Sequence, residues 1–139
     1  MTKFNPTPSA SDLRLPRFWV IEDDFADFFL LQELFDDLEA FHGELVHITS
    51  LQEAGNRVAN SDAPALVLLD LHLPDGAGLA AYQEVRRLLP NAPILVLSGT
   101  ENPQILDEIL RSGAIGAFAK GEARLAGKIW ETYINFSRR

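Results

Sequence analysis

The sequence predicts a doubly wound α/β fold, in which helices cover both faces of a five-stranded parallel sheet. From residue 18 onward, five short apolar runs alternate with five longer segments whose apolar residues recur at helical spacing. Such runs are typical of strands buried on both faces, and their alternation with helices favours parallel strands joined by right-handed crossovers. We therefore expect one domain at residues 17–139, preceded by a flexible arm at residues 1–16 that contains three prolines.

The first strand is predicted at residues 18–21, where the apolar run FWVI ends at three consecutive acids. Its short length and its β-branched residues are those of a strand covered on both faces. The following helix is predicted at residues 25–41, because apolar side chains recur there along one helix face. These side chains are Phe28, Leu31, Leu34, Phe35 and Leu38.

The other four strands are predicted from the same kind of apolar run, of which ALVLLD is the clearest. They lie at residues 44–49, 65–70, 93–98 and 115–119. Because a segment of helical period follows each of them, every strand begins a new β–α unit.

The other four helices are predicted at residues 51–60, 79–89, 103–111 and 122–136. The third helix ends before Pro90, which disfavours helical dihedral angles in the preceding residue. The fourth helix has Gly113 as its C′ residue, a position that favours glycine. The fifth carries Trp130 and Tyr133, which are either core residues or anchors for a partner.

The composition excludes several classes of function. The chain has no cysteine, which rules out disulfides, thiolate catalysis and zinc–thiolate or iron–sulfur sites. Its formal net charge of -8 would repel a nucleic-acid backbone, so direct nucleic-acid binding is not expected. The sequence shows no secretory signal and no apolar run of membrane-spanning length, so we expect a cytoplasmic protein without membrane contact.

Polar side chains follow the predicted strands at the points where the strands end. They are Glu22 and Asp23 after the first strand, Asp70 at the end of the third, Ser98 at the end of the fourth and Lys120 after the fifth. The carboxyl ends of parallel strands share one edge of the sheet, where ligands bind. Clustered carboxylates repel one another unless a cation is present, and Mg²⁺ prefers such oxygen ligands. With a hydroxyl and an ammonium group beside them, the set suits phosphoryl transfer.

Simpler interpretations exist for single residues of this set. An acid after a strand is commonly a solvated residue at a helix N-terminus, which is the interpretation we favour for Asp24. A lysine at a strand end is commonly exposed and has no role in chemistry. Only the complete set of groups favours a function for Lys120.

Four segments together resemble the receiver domain of bacterial response regulators, the CheY-like superfamily, over residues 18–136. They are VIEDD at residues 20–24, LLDLHLPDGAGL at 68–79, VLSGT at 96–100 and GAIGAFAKG at 113–121. Each segment alone is a weak indication, but all four occur in the order and approximate spacing of the family. The resemblance implies a flavodoxin-like sheet with the strand order 2-1-3-4-5 and identifies residues 17–139 as a receiver domain.

The resemblance also implies a phosphoacceptor and a metal site. Asp70 would accept a phosphoryl group on its carboxylate and form an acyl phosphate. A Mg²⁺ ion would be bound directly by Asp23, largely through water by Glu22, and by Asp70. The backbone carbonyl of His72 would be a further metal ligand.

Five positions would surround the phosphoryl group, as the resemblance to this family implies. Ser98 would donate its hydroxyl hydrogen to the phosphoryl group, and Lys120 would form an ion pair with it. His72, Gly99 and Thr100 would flank the group and influence how long it persists. For His72, a merely exposed imidazole is the simpler interpretation.

Two positions depart from the pattern of the family. The position three residues before Lys120 usually holds an aromatic switch residue, but here it is Ala117, and alternation along the strand directs Phe118 to the other face. Gly121 stands where the family commonly has a proline in a cis peptide bond. With Ala117 in this position, we expect signalling to depend on movement of the loop at residues 99–103.

The implied function is that of a two-component response regulator receiver, and not of an enzyme acting on a separate substrate. Its phosphoryl donor would be a sensor histidine kinase or a histidine phosphotransfer protein. A downstream effector, or a second copy of the chain, would bind the face formed by the fourth helix, fifth strand and fifth helix, at residues 103–111, 115–119 and 122–136. The chain resembles receivers that precede DNA-binding domains, so a fragment of a longer regulator is also consistent with the sequence.

Two alternatives remain open at this point. One is a pseudo-receiver, a phosphorylation-independent protein-interaction module, which the changes at Ala117 and Gly121 would suit. The other is a Mg²⁺-dependent phosphatase on a similar sheet. That enzyme would need a second acid two residues after the nucleophile, where this chain has His72.

Overall fold

The sheet has five parallel strands: β1 (Arg17–Ile21), β2 (Glu44–Ile48), β3 (Leu66–Asp70), β4 (Ile94–Ser98) and β5 (Gly116–Ala119). Their order is β2-β1-β3-β4-β5, which confirms the predicted flavodoxin-like topology. The structure is a computed structural model that describes residues 15–99 and 102–139. Most of the predicted N-terminal arm, residues 1–14, lies outside the described residues. The order of strands reverses between β1 and β3, so a crevice forms at their carboxyl ends.

Five helices connect these strands: α1 (Phe25–Asp36), α2 (Leu51–Asn60), α3 (Gly78–Leu88), α4 (Pro103–Arg111) and α5 (Leu125–Ser137). The bounds of α2 and α4 are those predicted, and α3 is displaced by one residue. The end of α1 and the beginning of α5 differ more from the prediction. None of the described helices is both long enough and apolar enough to cross a bilayer.

Helix α1 ends at Asp36, so the predicted extension to residue 41 is wrong. After the helix, the backbone N–H of Leu38 donates to the carbonyl of Phe35 over 3.1 Å, and that of Phe41 donates to the carbonyl of Leu38 over 3.0 Å. These bonds turn the chain while Leu38 and Phe41 still pack against the core. The apolar spacing therefore continues past the end of the helix, and this continuation produced the error.

Helix α5 begins at Leu125, later than the predicted residue 122. Arg124 has a φ of 56°, in the left-handed region, and this conformation interrupts a right-handed helix. The carboxylate of Glu122 accepts hydrogen bonds from the backbone of Ala119 and from Nζ of Lys128, over 3.3 and 2.7 Å. Residues 122–124 are therefore a turn, which leads from β5 into α5.

Two apolar clusters cover the two faces of the sheet. Side chains of α2, α3 and α4 pack on one face, and side chains of α1 and α5 pack on the other. Tyr133 and Trp130 belong to the second cluster, with ring centroids 4.9 and 6.0 Å from that of Phe18. The structure thus supports the interpretation of these two aromatic residues as core. On α1, Phe28 and Phe35 are buried as predicted, whereas Leu34 is partly exposed.

Residues 72–77, between β3 and α3, form a short antiparallel hairpin that the sequence analysis did not predict. Its two strands are His72–Leu73 and Gly76–Ala77. At its tip, the carboxylate of Asp75 accepts hydrogen bonds of 3.0 Å from the backbone N–H groups of Leu51 and Gln52. These N–H groups at the N-terminus of α2 have no acceptor within the helix, so Asp75 contributes to the cap of that helix. The loop after Asp70 is thereby attached to a rigid element.

Candidate functional site

The turn from β1 into α1 positions the first two acidic residues. The backbone N–H of Glu22 donates to the carbonyl of Ile48 over 2.9 Å, which extends the pairing of β1 with β2. Glu22 Oε2 accepts a 3.1 Å hydrogen bond from the backbone of Asp24. The side chain of Asp24 accepts from the backbone of Asp27 over 3.0 Å and is the N-cap of α1, as its simpler interpretation predicted.

Three carboxylates converge at the crevice. One oxygen from each of Glu22, Asp23 and Asp70 lies within 4.8 Å of the other two. Glu22 and Asp70 are 4% and 3% exposed, whereas Asp23 is exposed to solvent. Buried carboxylates at this separation repel one another strongly, and a hard divalent cation with oxygen ligands would remove that repulsion. The three carboxylates among the predicted metal ligands are therefore brought together by the fold.

Lys120 lies within ion-pair distance of three carboxylates. Its Nζ is 2.9 Å from Glu22 Oε1, 3.0 Å from Asp27 Oδ2 and 3.3 Å from Asp70 Oδ2. The prediction from strand ends thus places Lys120 correctly beside Asp70. Asp27 was not predicted, because an acid in the first turn of a helix is common and gives no indication of a site.

The carboxyl group of Asp70 is difficult to ionise in this environment. Burial, followed by the neighbouring charge of Glu22, raises the pKa of Asp70 from 3.8 to about 7, although Lys120 partly opposes the increase. Burial acts to lower the pKa of Lys120, but its hydrogen bonds to Glu22 and Asp27 and the charge of Asp70 raise it overall. The site therefore carries excess negative charge that one lysine does not neutralise.

The remaining predicted residues lie around Asp70. The backbone N–H of His72 donates to Asp70 Oδ1 over 3.1 Å, and the His72 side chain is exposed. Ser98 is buried at the end of β4, the strand next to Asp70, and its carbonyl accepts from the backbone of Lys120 over 2.9 Å. A methyl group added to Gly99 would meet no atom within 4 Å, so open space adjoins this position. Thr100 lies outside the described residues.

The two departures from the family pattern leave the position of Lys120 intact. Ala117 packs with the cluster on the α2, α3 and α4 face, and Phe118 packs with the cluster on the opposite face, as alternation along β5 predicts. No peptide bond among the described residues is cis, including the bond that precedes Gly121.

His47 contacts the acidic turn and was missed by the sequence analysis. Its Nε2 lies 2.6 Å from the carbonyl oxygen of Glu22. The imidazole stacks on the ring of Phe28, with centroids 4.1 Å apart, and meets the edge of Phe25 at 5.0 Å. His47 therefore joins β2 to the turn that carries two of the candidate metal ligands. A histidine within a strand has no sequence pattern that would have indicated this contact.

We expect His47→Phe to lower the free energy of unfolding by about 1 kcal/mol, because a phenyl ring keeps the stack on Phe28 but cannot donate to the carbonyl of Glu22. Urea denaturation followed by circular dichroism measures the change. His42→Phe is the matched control, since His42 is exposed. Equal stability of the two variants would show that the hydrogen bond contributes nothing.

The comparisons with known proteins agree with this geometry. The family model for the response regulator receiver domain matches residues 18–128. Among curated proteins, the Glycerol metabolism activator of Pseudomonas putida is 27% identical over 81 residues, which are 58% of this chain and 37% of that protein. The chain spans about a third of the length of the first curated relatives that it matches.

Solved structures share the fold of this chain. A CheY-like response regulator receiver domain protein from Methanospirillum hungatei JF-1 has a TM-score of 0.74 at 21% identity, covering 89% of this chain and 98% of that chain. A response regulator protein from Burkholderia pseudomallei, solved with a phosphorylated aspartic acid, a calcium ion and citrate, has a TM-score of 0.68 at 22% identity, covering 85% and 66%. Since the receiver family match covers residues 18–128, which is most of the chain, the protein belongs to the response regulator receiver domains of two-component systems.

Proposed function

We propose that Asp70 accepts a phosphoryl group from a phosphohistidine, in a Mg²⁺-dependent reaction, and that this modification changes the binding of a partner. The donor would be a sensor histidine kinase or a histidine phosphotransfer protein. One observation carries the proposal: the carboxylates that follow β1 and the carboxylate that ends β3 meet within 4.8 Å, with Lys120 3.3 Å from Asp70. This arrangement matches the chemical requirements of phosphoryl transfer to a carboxylate.

The residues present fit a magnesium ion. Glu22, Asp23 and Asp70 offer hard oxygen ligands from two separate segments, and the backbone carbonyl of His72 lies two residues after Asp70 in the chain. The raised pKa of Asp70 supports this assignment, because a carboxylate that must be ionised needs a nearby positive charge. When bound, Mg²⁺ would supply neutralisation of the charge on the carboxylates and on the incoming phosphoryl group.

The chain's own residues would orient and carry out the transfer. A carboxylate oxygen of Asp70 attacks phosphorus, the phosphorus–nitrogen bond of the donor breaks, and the imidazole of the donor leaves. The hydrogen bond from the His72 backbone to Oδ1 fixes the carboxylate, and the ammonium group of Lys120 adjoins Oδ2. Lys120 and Ser98 would then bind the phosphoryl oxygens, which neutralises charge that develops during the transfer.

Two groups of similar proteins support parts of this proposal: a solved structure with the same fold, and longer curated proteins. The Burkholderia pseudomallei response regulator with the same fold contains a phosphorylated aspartic acid and a divalent cation. The Glycerol metabolism activator and a transcriptional regulatory protein of Rhizobium are longer than this chain. We propose that this domain controls an effector through the face of α4, β5 and α5. The loop at residues 99–103, to which the sequence analysis assigned the switching movement, lies partly outside the described residues. The pseudo-receiver alternative is not favoured, because the carboxylates and the lysine are all retained.

We expect the protein to gain about 80 Da, the mass of one HPO₃ unit, when it is incubated with Mg²⁺ and phosphoramidate. Intact-mass spectrometry measures the adduct, and hydroxylamine should remove it because it is an acyl phosphate. Asp70→Asn should gain no adduct. Asp36→Asn, which changes an exposed carboxylate at the far end of α1, should react as the wild type does.

Either of two results would contradict the proposal. An adduct that persists in Asp70→Asn would place the phosphoryl group on another residue. A wild-type protein that gains no mass at high donor and Mg²⁺ concentrations would show that the site does not perform this chemistry.

A further inference from the structure

Asp27 contacts the lysine of the proposed site but belongs to a different element from the candidate metal ligands. It lies in the first turn of α1, and its Oδ2 is 3.0 Å from Nζ of Lys120. Its backbone N–H is bound by the cap residue Asp24, which fixes this turn of the helix. The backbone from which the side chain of Asp27 reaches Lys120 is therefore fixed by the helix cap.

In this structure, carboxylate oxygens occupy the neighbourhood of all three ammonium hydrogens of Lys120. An ammonium group has three donors, and Glu22, Asp27 and Asp70 each place one oxygen within 3.3 Å of it. A phosphoryl oxygen can bind this lysine only if one of these pairings is given up. Glu22 and Asp70 belong to the set that can hold a cation, whereas Asp27 does not. Asp27 is therefore the carboxylate that continues to compete for Lys120.

We propose that Asp27 is a positioning residue that restrains Lys120 and slows the phosphorylation of Asp70. This inference rests on the proposed function of the site. Asp27 acts in two ways: it holds the ammonium group away from the incoming phosphoryl oxygens, and its own charge repels an anionic phosphoryl donor. Both effects oppose transfer. Replacing the carboxylate by an amide removes the repulsion and reduces the ion pair with Lys120 to a weaker, neutral hydrogen bond.

The same charge has the opposite effect on a cation. A carboxylate beside the three candidate ligands attracts a divalent ion, so its removal weakens Mg²⁺ binding while it accelerates phosphorylation at saturating Mg²⁺. The side chain of Asp27 is 46% exposed, so solvent screens its charge and each change is modest. If Asp27 had only a structural role, its replacement would lower both the affinity for Mg²⁺ and the rate of phosphorylation. Faster phosphorylation together with a weaker affinity for Mg²⁺ therefore distinguishes the proposed role from a structural one.

The experiment compares wild type with Asp27→Asn, which keeps the size of the side chain and the backbone N–H that Asp24 caps. We expect the rate of adduct formation with phosphoramidate at saturating Mg²⁺ to rise about twofold to fivefold. We expect the dissociation constant for Mg²⁺, measured by titration calorimetry without a phosphodonor, to rise about twofold to threefold. Asp27→Glu retains the charge and should stay nearer to wild type in both measurements.

Asp36→Asn is the matched control, because it removes the same charge from the last residue of the same helix. It should change neither measurement. If wild type forms the adduct and Asp27→Asn forms it at an equal or lower rate, the inference about Asp27 is wrong and the proposed function stands. If wild type forms no adduct, the proposed function fails and the inference fails with it.

Discussion

Lys120→Met is expected to lower the free energy of unfolding of the metal-free protein by about 3 kcal/mol at pH 7.5. Lys120 supplies a positive charge to Glu22 and Asp70, both of which are buried. A methionine of similar length fills the space but leaves these carboxylates without a cation. Removing one partner of a buried ion pair costs more than the pair contributes, because the remaining charges stay desolvated.

The effect of Lys120→Met should depend on pH and on Mg²⁺. As the pH falls toward 5, Asp70 can bind a proton in the folded protein, so the difference from wild type should shrink. Saturating Mg²⁺ should restore part of the lost stability, since a ligand that binds only the folded state stabilises it. Urea denaturation in EDTA and in Mg²⁺, at pH 5 and pH 7.5, measures both effects.

The matched control for this substitution is Lys128→Met. Lys128 also forms an ion pair, 2.7 Å from Glu122, but the side chain of Glu122 is 29% exposed, whereas those of Glu22 and Asp70 are almost completely buried. Exposed pairs contribute about 0.2–1 kcal/mol, so this variant should lose little stability. If the two variants were equally stable, the repulsion between the carboxylates around Lys120 would be too weak to affect folding, and the prediction would be wrong.

Asp70→Asn is expected to raise the free energy of unfolding of the metal-free protein by about 4 kcal/mol at pH 7.5. The pKa of Asp70 is raised from 3.8 to about 7, so between these values the folded protein keeps a proton that the unfolded chain has released. The unfolded state then binds fewer protons, and stability falls as the pH rises through this window. An asparagine has no proton to lose, so the variant avoids this decrease.

The difference between Asp70→Asn and wild type should therefore be small near pH 4 and should grow up to about pH 7. Urea denaturation in EDTA across this range measures it. Mg²⁺ should stabilise wild type more than the variant, because the variant lacks one of the three carboxylates. Asp36→Asn, which removes an exposed carboxylate at the end of α1, is the matched control. A difference that is constant over the range would show that Asp70 ionises normally in the folded protein.

The convergence of the candidate site could be predicted because it follows from topology. Glu22, Asp70 and Lys120 are far apart in the chain, but each stands at the carboxyl end of a strand in a parallel sheet. Once the strands and their parallel arrangement are inferred, the residues at their ends must share one edge. The distances of 2.9 and 3.3 Å from Lys120 to Glu22 and Asp70 agree with that reasoning.

Asp27 and His47 could not be predicted, because their roles depend on how α1 packs against the sheet. Asp27 has the appearance of an ordinary acid near a helix N-terminus, and His47 that of a polar residue on an outer strand. The docking of α1 brings Asp27 to Lys120 and stacks Phe28 on His47. Neither contact produces a periodic pattern in the sequence, since each joins a single side chain to an element that is distant in the chain.

By itself, the amino-acid sequence determined the sheet, the five helices and the edge at which the acidic residues meet, because apolar runs and strand ends are local features. Only the tertiary structure decided where α1 stops, how residues 122–124 turn and which carboxylate competes for Lys120. Those outcomes depend on packing and charge between segments that are distant in the chain. Asp27 becomes part of the site through the placement of its helix and not through its sequence position.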